Sequence, residues 1–362
     1  MLRRVSVAAP HAIASVLILL MLALASALWA TDPDLYHQVV QEDGPVEWMT
    51  FWAFALAGIL SLVTLAREAW LAQPLRAIYL ALFTLGALAV AMEEISWGQR
   101  LIGYQPPERF LAENFQQELN LHNLADTETR KGVLTALLIG FGIVFPVAGR
   151  LPWLGPQLAG WMLPVPSLAL LPGFVALVGF YIVYPLESSG EWVELGAGIG
   201  FLFAALACLV KPAGRSLLLL GSLPLLIGAV TPLLLVAKAD PRRVEIATLE
   251  SRALALDFKN RRLRSRCGVH KRIYTFIQEY GAGNLARGAW GQLEPAEDAD
   301  ALRRKYFLDP WNQPYWIWHV CKGDQPTAVF VYSFGPDRRR NASRDGVAPD
   351  DIGAYAYRQP GD

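Results

Sequence analysis

Two sets of oxygen-bearing side chains in this 362-residue sequence could carry chemistry. The first is a series of acids, Glu93 and Glu94, then Glu187, Glu191 and Glu194, preceded by Asp43 and Glu47, with His37 and His122 in neighbouring stretches. Carboxylate and imidazole together can hold a divalent metal. A carboxylate beside a second carboxylate can instead act as a general acid or base in hydrolysis or group transfer. The second set follows Gly335 in a polar loop: Asp337, Asn341, Ser343, Asp345, Asp350 and Asp351. Oxygen donors on a flexible loop suit calcium, which takes six to eight of them. Soft and imidazole ligands are missing from that loop, which argues against zinc or copper. A solvated acidic turn, neutralised by Arg338, Arg339, Arg340 and Arg344, fits the same residues.

The motifs that would name a reaction are missing. There is no His-Glu-x-x-His, no pair of histidines one helical turn apart, and no Gly-x-Ser-x-Gly elbow. The acids of the first set also fit simpler roles, pairing with Arg100, Arg109 or Arg130 and capping helices, or lining a transport or proton pathway. No nucleic-acid or nucleotide signature is present. The run Gly196-Ala197-Gly198-Ile199-Gly200 sits inside an apolar stretch, where small residues let helices approach closely.

The elements that must position these residues divide the chain in two, 1–237 and 238–362. Hydrophobic residues make up 54% of the sequence, and nearly all the long apolar runs fall in the first part. A bilayer crossing needs about 20 apolar residues. Seven stretches qualify, near 11–30, 47–66, 75–92, 132–149, 167–186, 192–210 and 216–237. Arg3 and Arg4, Arg67 and Arg76, Arg150, then Lys211 and Arg215 mark alternate connections, and the acids occupy the others. Positive residues stay in the cytoplasm, so the expected arrangement is a lipid-bilayer protein of a bacterial inner membrane. Its N-terminus is then inside and residues 238–362 outside. The first span also fits a secretory signal with Ala25-Ser26-Ala27 as its cleavage site, which leaves that topology unchanged. The third connection reads as an amphipathic helix on the bilayer surface, with Phe110, Leu111, Phe115, Leu119 and Leu121 on one side.

In the C-terminal part, Ile246, Leu249, Ala253 and Leu256 recur at helical spacing, continuing the last span as a long stem. A second helix carries Val269, Ile273, Phe276, Ile277 and Tyr280 and ends at Gly281. A shorter helix is expected near 298–306, then strands at Tyr315–Val320 and Thr327–Phe334. Cys267 and Cys321 both fall here, and an oxidising compartment permits a disulfide between them. Cys208 reads as packing within an apolar span.

The stretch Asp309-Pro310-Trp311-Asn312-Gln313-Pro314-Tyr315, the strand Val331-Tyr332-Ser333-Phe334-Gly335-Pro336-Asp337 and the closing Asp350-Asp351-Ile352 resemble the C-terminal half of the major pseudopilins of type II secretion systems. The resemblance covers about the last third of the chain. It implies a stem helix on a small antiparallel sheet, with calcium held by the last loop. Asp337, Asp350 and Asp351 match ligand-bearing positions of that family, and Asp345 shares the loop. The processing signal of the family is missing, and Arg338-Arg339-Arg340 replaces its glycine-rich stretch. The stretch from Glu93 to Asn123 is similar to an uncharacterised family of polytopic bacterial inner-membrane proteins. The combined expectation is an α-helical membrane domain of about seven spans followed by a small α+β domain. It would be a scaffold or secretion and envelope-assembly component working with other envelope proteins. The alternative is a membrane-embedded metal-dependent hydrolase or transferase using Glu93, Glu94, His122, Glu187 and Glu191, with a second metal at that site.

Overall fold

A computed structural model describes residues 2–67, 71–209, 214–234, 240–259, 267, 269–281, 285–293, 301–323, 325–337 and 351–357. The chain forms two compact units. One comprises Met1–Trp97 and Ala125–Leu234, the other Gly98–Leu124 and Leu235–Asp362. The boundary expected near residue 237 has its counterpart at Leu234, but the chain is not divided linearly. Twenty-seven residues from the middle of the sequence, Gly98–Leu124, belong with the C-terminal unit.

The first unit is helical: α1 (Leu2–Thr31), α2 (Pro33–Val40), α3 (Pro45–Ala66), α4 (Pro74–Glu94), α5 (Thr127–Ile139), α6 (Leu171–Val183), α7 (Ser189–Leu209) and α8 (Gly214–Leu234). Proline opens α2, α3 and α4, where its missing N–H would have no intrahelical partner anyway. Asp32 and Asp126 cap α2 and α5 by accepting from Leu35 N at 3.0 Å and Thr129 N at 2.9 Å. α7 packs against α1, α3 and α6. Its small residues make this possible, since a Cβ at Gly196 would lie 2.5 Å from Leu177 and one at Gly198 3.0 Å from Ala53. Phe201 extends the core by stacking on Phe83 and Phe141, with centroids 5.1 and 4.2 Å apart.

Among the described residues, five helical stretches are long and apolar enough to cross a membrane: Ala8–Thr31, Pro33–Ala66, Pro74–Glu94, Thr127–Ala148 and Ser189–Cys208. Leu168–Val183 and Gly221–Leu234 are apolar but shorter. Leu20, Leu24, Leu82, Leu85, Ile182 and Val183 point outward and are exposed. A helix bundle with leucine on its outside is matched to hydrocarbon, not water.

In the second unit, α9 (Pro241–Lys259) packs against a four-stranded antiparallel sheet in the order β1 (His270–Arg272), β2 (Trp316–Lys322), β3 (Gln325–Ser333), β4 (Ile352–Tyr357). α10 (Ile273–Tyr280) follows β1 directly and ends at Gly281, φ 63°. Val269 therefore precedes an edge strand and is not the first turn of a helix, as the sequence suggested. Leu254, Ala255 and Phe258 of α9 bury against Tyr315, Ile317, Val329 and Val331. Of the helix expected near 298–306, Ala301–Lys305 is helical, and 298–300 lie outside the described residues. Continuity of the stem with α8 turns on residues 235–239, outside the described set.

The third connection is not one amphipathic helix. Before Thr127, only Gln99–Ile102 and Glu108–Glu113 are α-helical within it, separated by the irregular stretch 103–107 with Pro106 and Pro107. Proline disfavours helix in the residue before it and removes a backbone donor. Leu111, expected at a lipid surface, is fully buried against Tyr306 and Leu308. Downstream, Asn114 Nδ2 donates to Glu118 O at 2.7 Å and to Asn120 Oδ1 at 2.6 Å, fixing a compact turn.

Candidate functional site

In the helical unit the acids of the first set converge in part. Glu47 and Glu191 sit in the first turns of α3 and α7, where the positive end of the helix dipole favours a carboxylate. Glu94 is the last residue of α4, the end where that dipole disfavours negative charge, and it is buried. It lies within electrostatic reach of Glu194, Glu191, Glu47 and Glu93. Glu191 in turn faces Glu194 and Glu42, with Arg130 as a nearby positive charge. Glu93 accepts from Trp97 Nε1 at 2.6 Å. Glu187 is exposed and lies 3.6 Å from His37 Nε2, while Tyr36 OH donates to its carbonyl at 2.6 Å. His122 is exposed on a turn of the C-terminal unit. Glu191 thus lies within electrostatic reach of Glu94, while Glu187 faces His37. Among the described residues, no group of three or more His, Cys, Asp or Glu side chains is arranged to hold a metal ion.

In the C-terminal unit the Asp309–Tyr315 stretch is a turn that binds itself. Asp309 is fully buried; its Oδ1 accepts from Trp311 N and Gln313 N, both at 2.8 Å, and its Oδ2 accepts from Ser333 Oγ. Ser333 Oγ accepts from Gly335 N at 2.9 Å, so one carboxylate ties this turn to the end of β3. Burial pushes the Asp309 carboxyl up to about 6, against the pull of these donors. Asp309 is therefore spent on structure. Nearby, Arg303 Nη2 and Nη1 donate to Glu250 Oε1 at 2.6 Å and Oε2 at 2.9 Å, and Tyr315 OH donates to Oε2 at 2.7 Å. All three side chains are buried. Burial and the adjacent Glu250 hold the Tyr315 phenol well above its ordinary range, keeping it a donor. Asp257, also buried, accepts from Ala289 N at 2.6 Å and Trp290 N at 2.9 Å, capping the short helix Ala289–Gln292.

No protein-family model, curated protein or solved structure matches this chain. Its residues have to carry the functional reading themselves.

Of the calcium candidates, Asp337 closes the turn Gly335–Asp337 after β3, and Asp351 is buried immediately before β4. Ser333 pairs with Ile352, so the chain brings both acids to the same end of the sheet. Asp345 and Asp350 lie outside the described residues. Cys267 and Cys321 are joined in a disulfide with Cα atoms 5.5 Å apart. Sequence reasoning missed the Glu250–Arg303–Tyr315 triad. One signal was present: Glu250 lies three residues from Ala247 and Ala253 and four from Leu254, on the buried face of α9, where an acid demands a partner.

Proposed function

We propose that this protein is a membrane-held scaffold that presents its small α+β unit outside the cytoplasm to other envelope proteins. The observation that carries the reading is the double origin of that unit. Because Gly98–Leu124 and the residues after Leu234 share one compact unit, they occupy the same side of any membrane the chain crosses. Three long helices precede Gly98, so the unit is opposite the N-terminus and its Arg3-Arg4 pair. Positive residues favour the cytoplasmic side, which leaves the unit outside. An even number of crossings must then separate residues 124 and 235. Four are available if Leu168–Val183 and Gly221–Leu234 both cross with the two long helices, giving seven in all. The Cys267–Cys321 disulfide supports an oxidising location independently.

Within this reading the unit is pseudopilin-like, with α9 as its stem. Asp337 and Asp351, joined by Asp350 and Asp345, supply oxygen ligands to calcium. The placement of Asp337 and Asp351 at one end of the sheet, on either side of the loop that joins them, supports this. Chelation of calcium is expected to lower the melting temperature of the full chain, and Asp351→Ala to remove that difference. An identical melt with and without chelator takes calcium out of the account.

The topology is tested with a membrane-impermeant maleimide on intact cells, in a Cys208→Ser background. Lys322→Cys, on the exposed end of β2, is expected to label at once. Arg67→Cys, after α3, is expected to label only after permeabilisation. The reverse pattern overturns the reading. A metal-dependent hydrolase or transferase draws its support from the buried Glu94 with Glu191 within its electrostatic reach; loss of a lipid-linked turnover in Glu94→Gln would favour it.

A further inference from the structure

The two edges of the C-terminal sheet are built differently. β1 is three residues long and carries Lys271 and Arg272, the usual protection of an edge against pairing. β4 is six residues, Ile-Gly-Ala-Tyr-Ala-Tyr, with no charge and no proline. Among the described residues no strand pairs with its outer side.

The register identifies which backbone groups face outward. His319 N donates to Val269 O and Ile273 N to Tyr315 O, so the odd-numbered residues of β2 bond toward β1. Antiparallel ladders alternate, so Trp316 and Trp318 bond to Tyr332 and Phe330 of β3. Val329, Val331 and Ser333 then bond to Ala356, Ala354 and Ile352. The N–H and C=O groups of Gly353, Tyr355 and Tyr357 are left pointing away from the sheet. A groove of about 540 Å³ runs along this edge, lined by Gly353–Tyr357 and by Arg252, Leu256 and Lys259 of α9. Arg252 and Leu256 are exposed, as are Tyr355 and Tyr357.

We infer that this groove receives an extended acidic polypeptide segment of another protein, which adds to β4 as a fifth strand. The reading rests on the presenting role proposed above. Outward amide groups at every second residue, about 7 Å apart, match the repeat of another strand. Arg252, Leu256 and Lys259 span about 10 Å along the helix, the reach of three to four strand residues. Side chains on the helix side of the added strand therefore meet a basic–apolar–basic wall, which favours acid flanking an apolar residue. Those on the other side meet the Tyr355 and Tyr357 rings, stacked at 5.9 Å. They favour aromatic or β-branched partners.

The test uses the full chain in detergent and a fluorescent ten-residue peptide whose odd positions alternate Glu and Val and whose even positions are all Val. Three comparison peptides carry Lys for Glu, N-methyl groups on alternate amides facing β4, or scrambled order. Saturable binding is expected for the Glu peptide, falling at least tenfold on N-methylation. Tyr355→Pro removes an outward N–H without touching a bond to β3, as prolines at sheet edges do. It is expected to lose binding at least tenfold with an unchanged melting temperature. Arg252→Glu is expected to shift preference toward the Lys peptide, and it keeps the test valid if the proline variant melts early. Equal binding of the methylated and parent peptides overturns the inference. So does a dimer in solution that Tyr355→Pro dissolves, which would give the edge to a second copy of this chain. Binding in detergent is blind to membrane sidedness, so its failure and failure of the maleimide experiment remain separate results.

Discussion

In the C-terminal unit, three buried acids end on dedicated partners: Glu250 on Arg303 and Tyr315, Asp257 on two amide N–H groups, Asp309 on two amides and Ser333. In the helical unit, Glu94 is buried among Glu47, Glu93, Glu191 and Glu194. The first arrangement turns the cost of burying a charge into specificity, because only one fold supplies all the donors. The second gathers several carboxylates near helix ends, where Glu93 accepts from Trp97 and Glu191 faces Arg130. Acids of the first sort each tie two distant stretches of chain together; acids of the second sort crowd on one another.

The sharpest way to break this contrast is to remove one partner of a paired acid. Arg303→Met should cost about 3–5 kcal/mol in the unfolding of the C-terminal unit, since it strands a buried carboxylate. Adding Glu250→Leu should recover much of that loss. Tryptophan fluorescence in urea measures both, and a single-variant cost below about 1 kcal/mol would refute the pairing argument. Next in size is the disulfide. Its 54-residue separation predicts about 4 kcal/mol from loop entropy, with measured values nearer 2–4. Reduction, or Cys267→Ser, should lower the unfolding midpoint accordingly.

The pH dependence of Asp309 is a finer test. Its folded pKa of about 6 exceeds the ordinary value of about 3.9, so the folded chain binds the proton more tightly. Its contribution is therefore fully present below about pH 4 and is lost as pH rises through about 6. The swing is at most about 3 kcal/mol. Asp309→Asn should flatten that stretch of the stability curve, and a curve unchanged by the substitution contradicts the assignment. The smallest effect belongs to the other unit. Glu94→Gln keeps the shape of the side chain while removing its acidic proton site, and should shift stability by less than about 1 kcal/mol, or raise it. A loss as large as that of Arg303→Met would mean that Glu94 has a partner as dedicated as Glu250 has.

What could be read from the sequence was local. Apolar length marked the helices. β-branched and aromatic runs marked β2 and β3, and small residues marked the close contacts of α7. The Asp309–Tyr315 stretch stands out in the sequence, but its physical role, a self-capped turn, depends on Ser333 more than twenty residues away. Glu250 and Arg303 are 53 residues apart, so no periodicity links them. β1 was absorbed into a helix because Val269 falls in phase with Ile273 and Phe276, and three residues are too few to show alternation. The acids at the ends of α3, α4 and α7 shared a predicted level, but which of them meet is set by helix packing, not by order in the chain.

The membership of Gly98–Leu124 in the C-terminal unit also imposes an order on synthesis. These residues leave the ribosome about 110 residues before the first of their partners after Leu234. At about 5–20 residues per second, that is an interval of roughly 6–20 s. During it, Leu111 and the Asn114–Asn123 turn have nothing to pack against. The unit can close only once the residues after Leu234 have been made, which makes its folded state a mark that synthesis has run through β4.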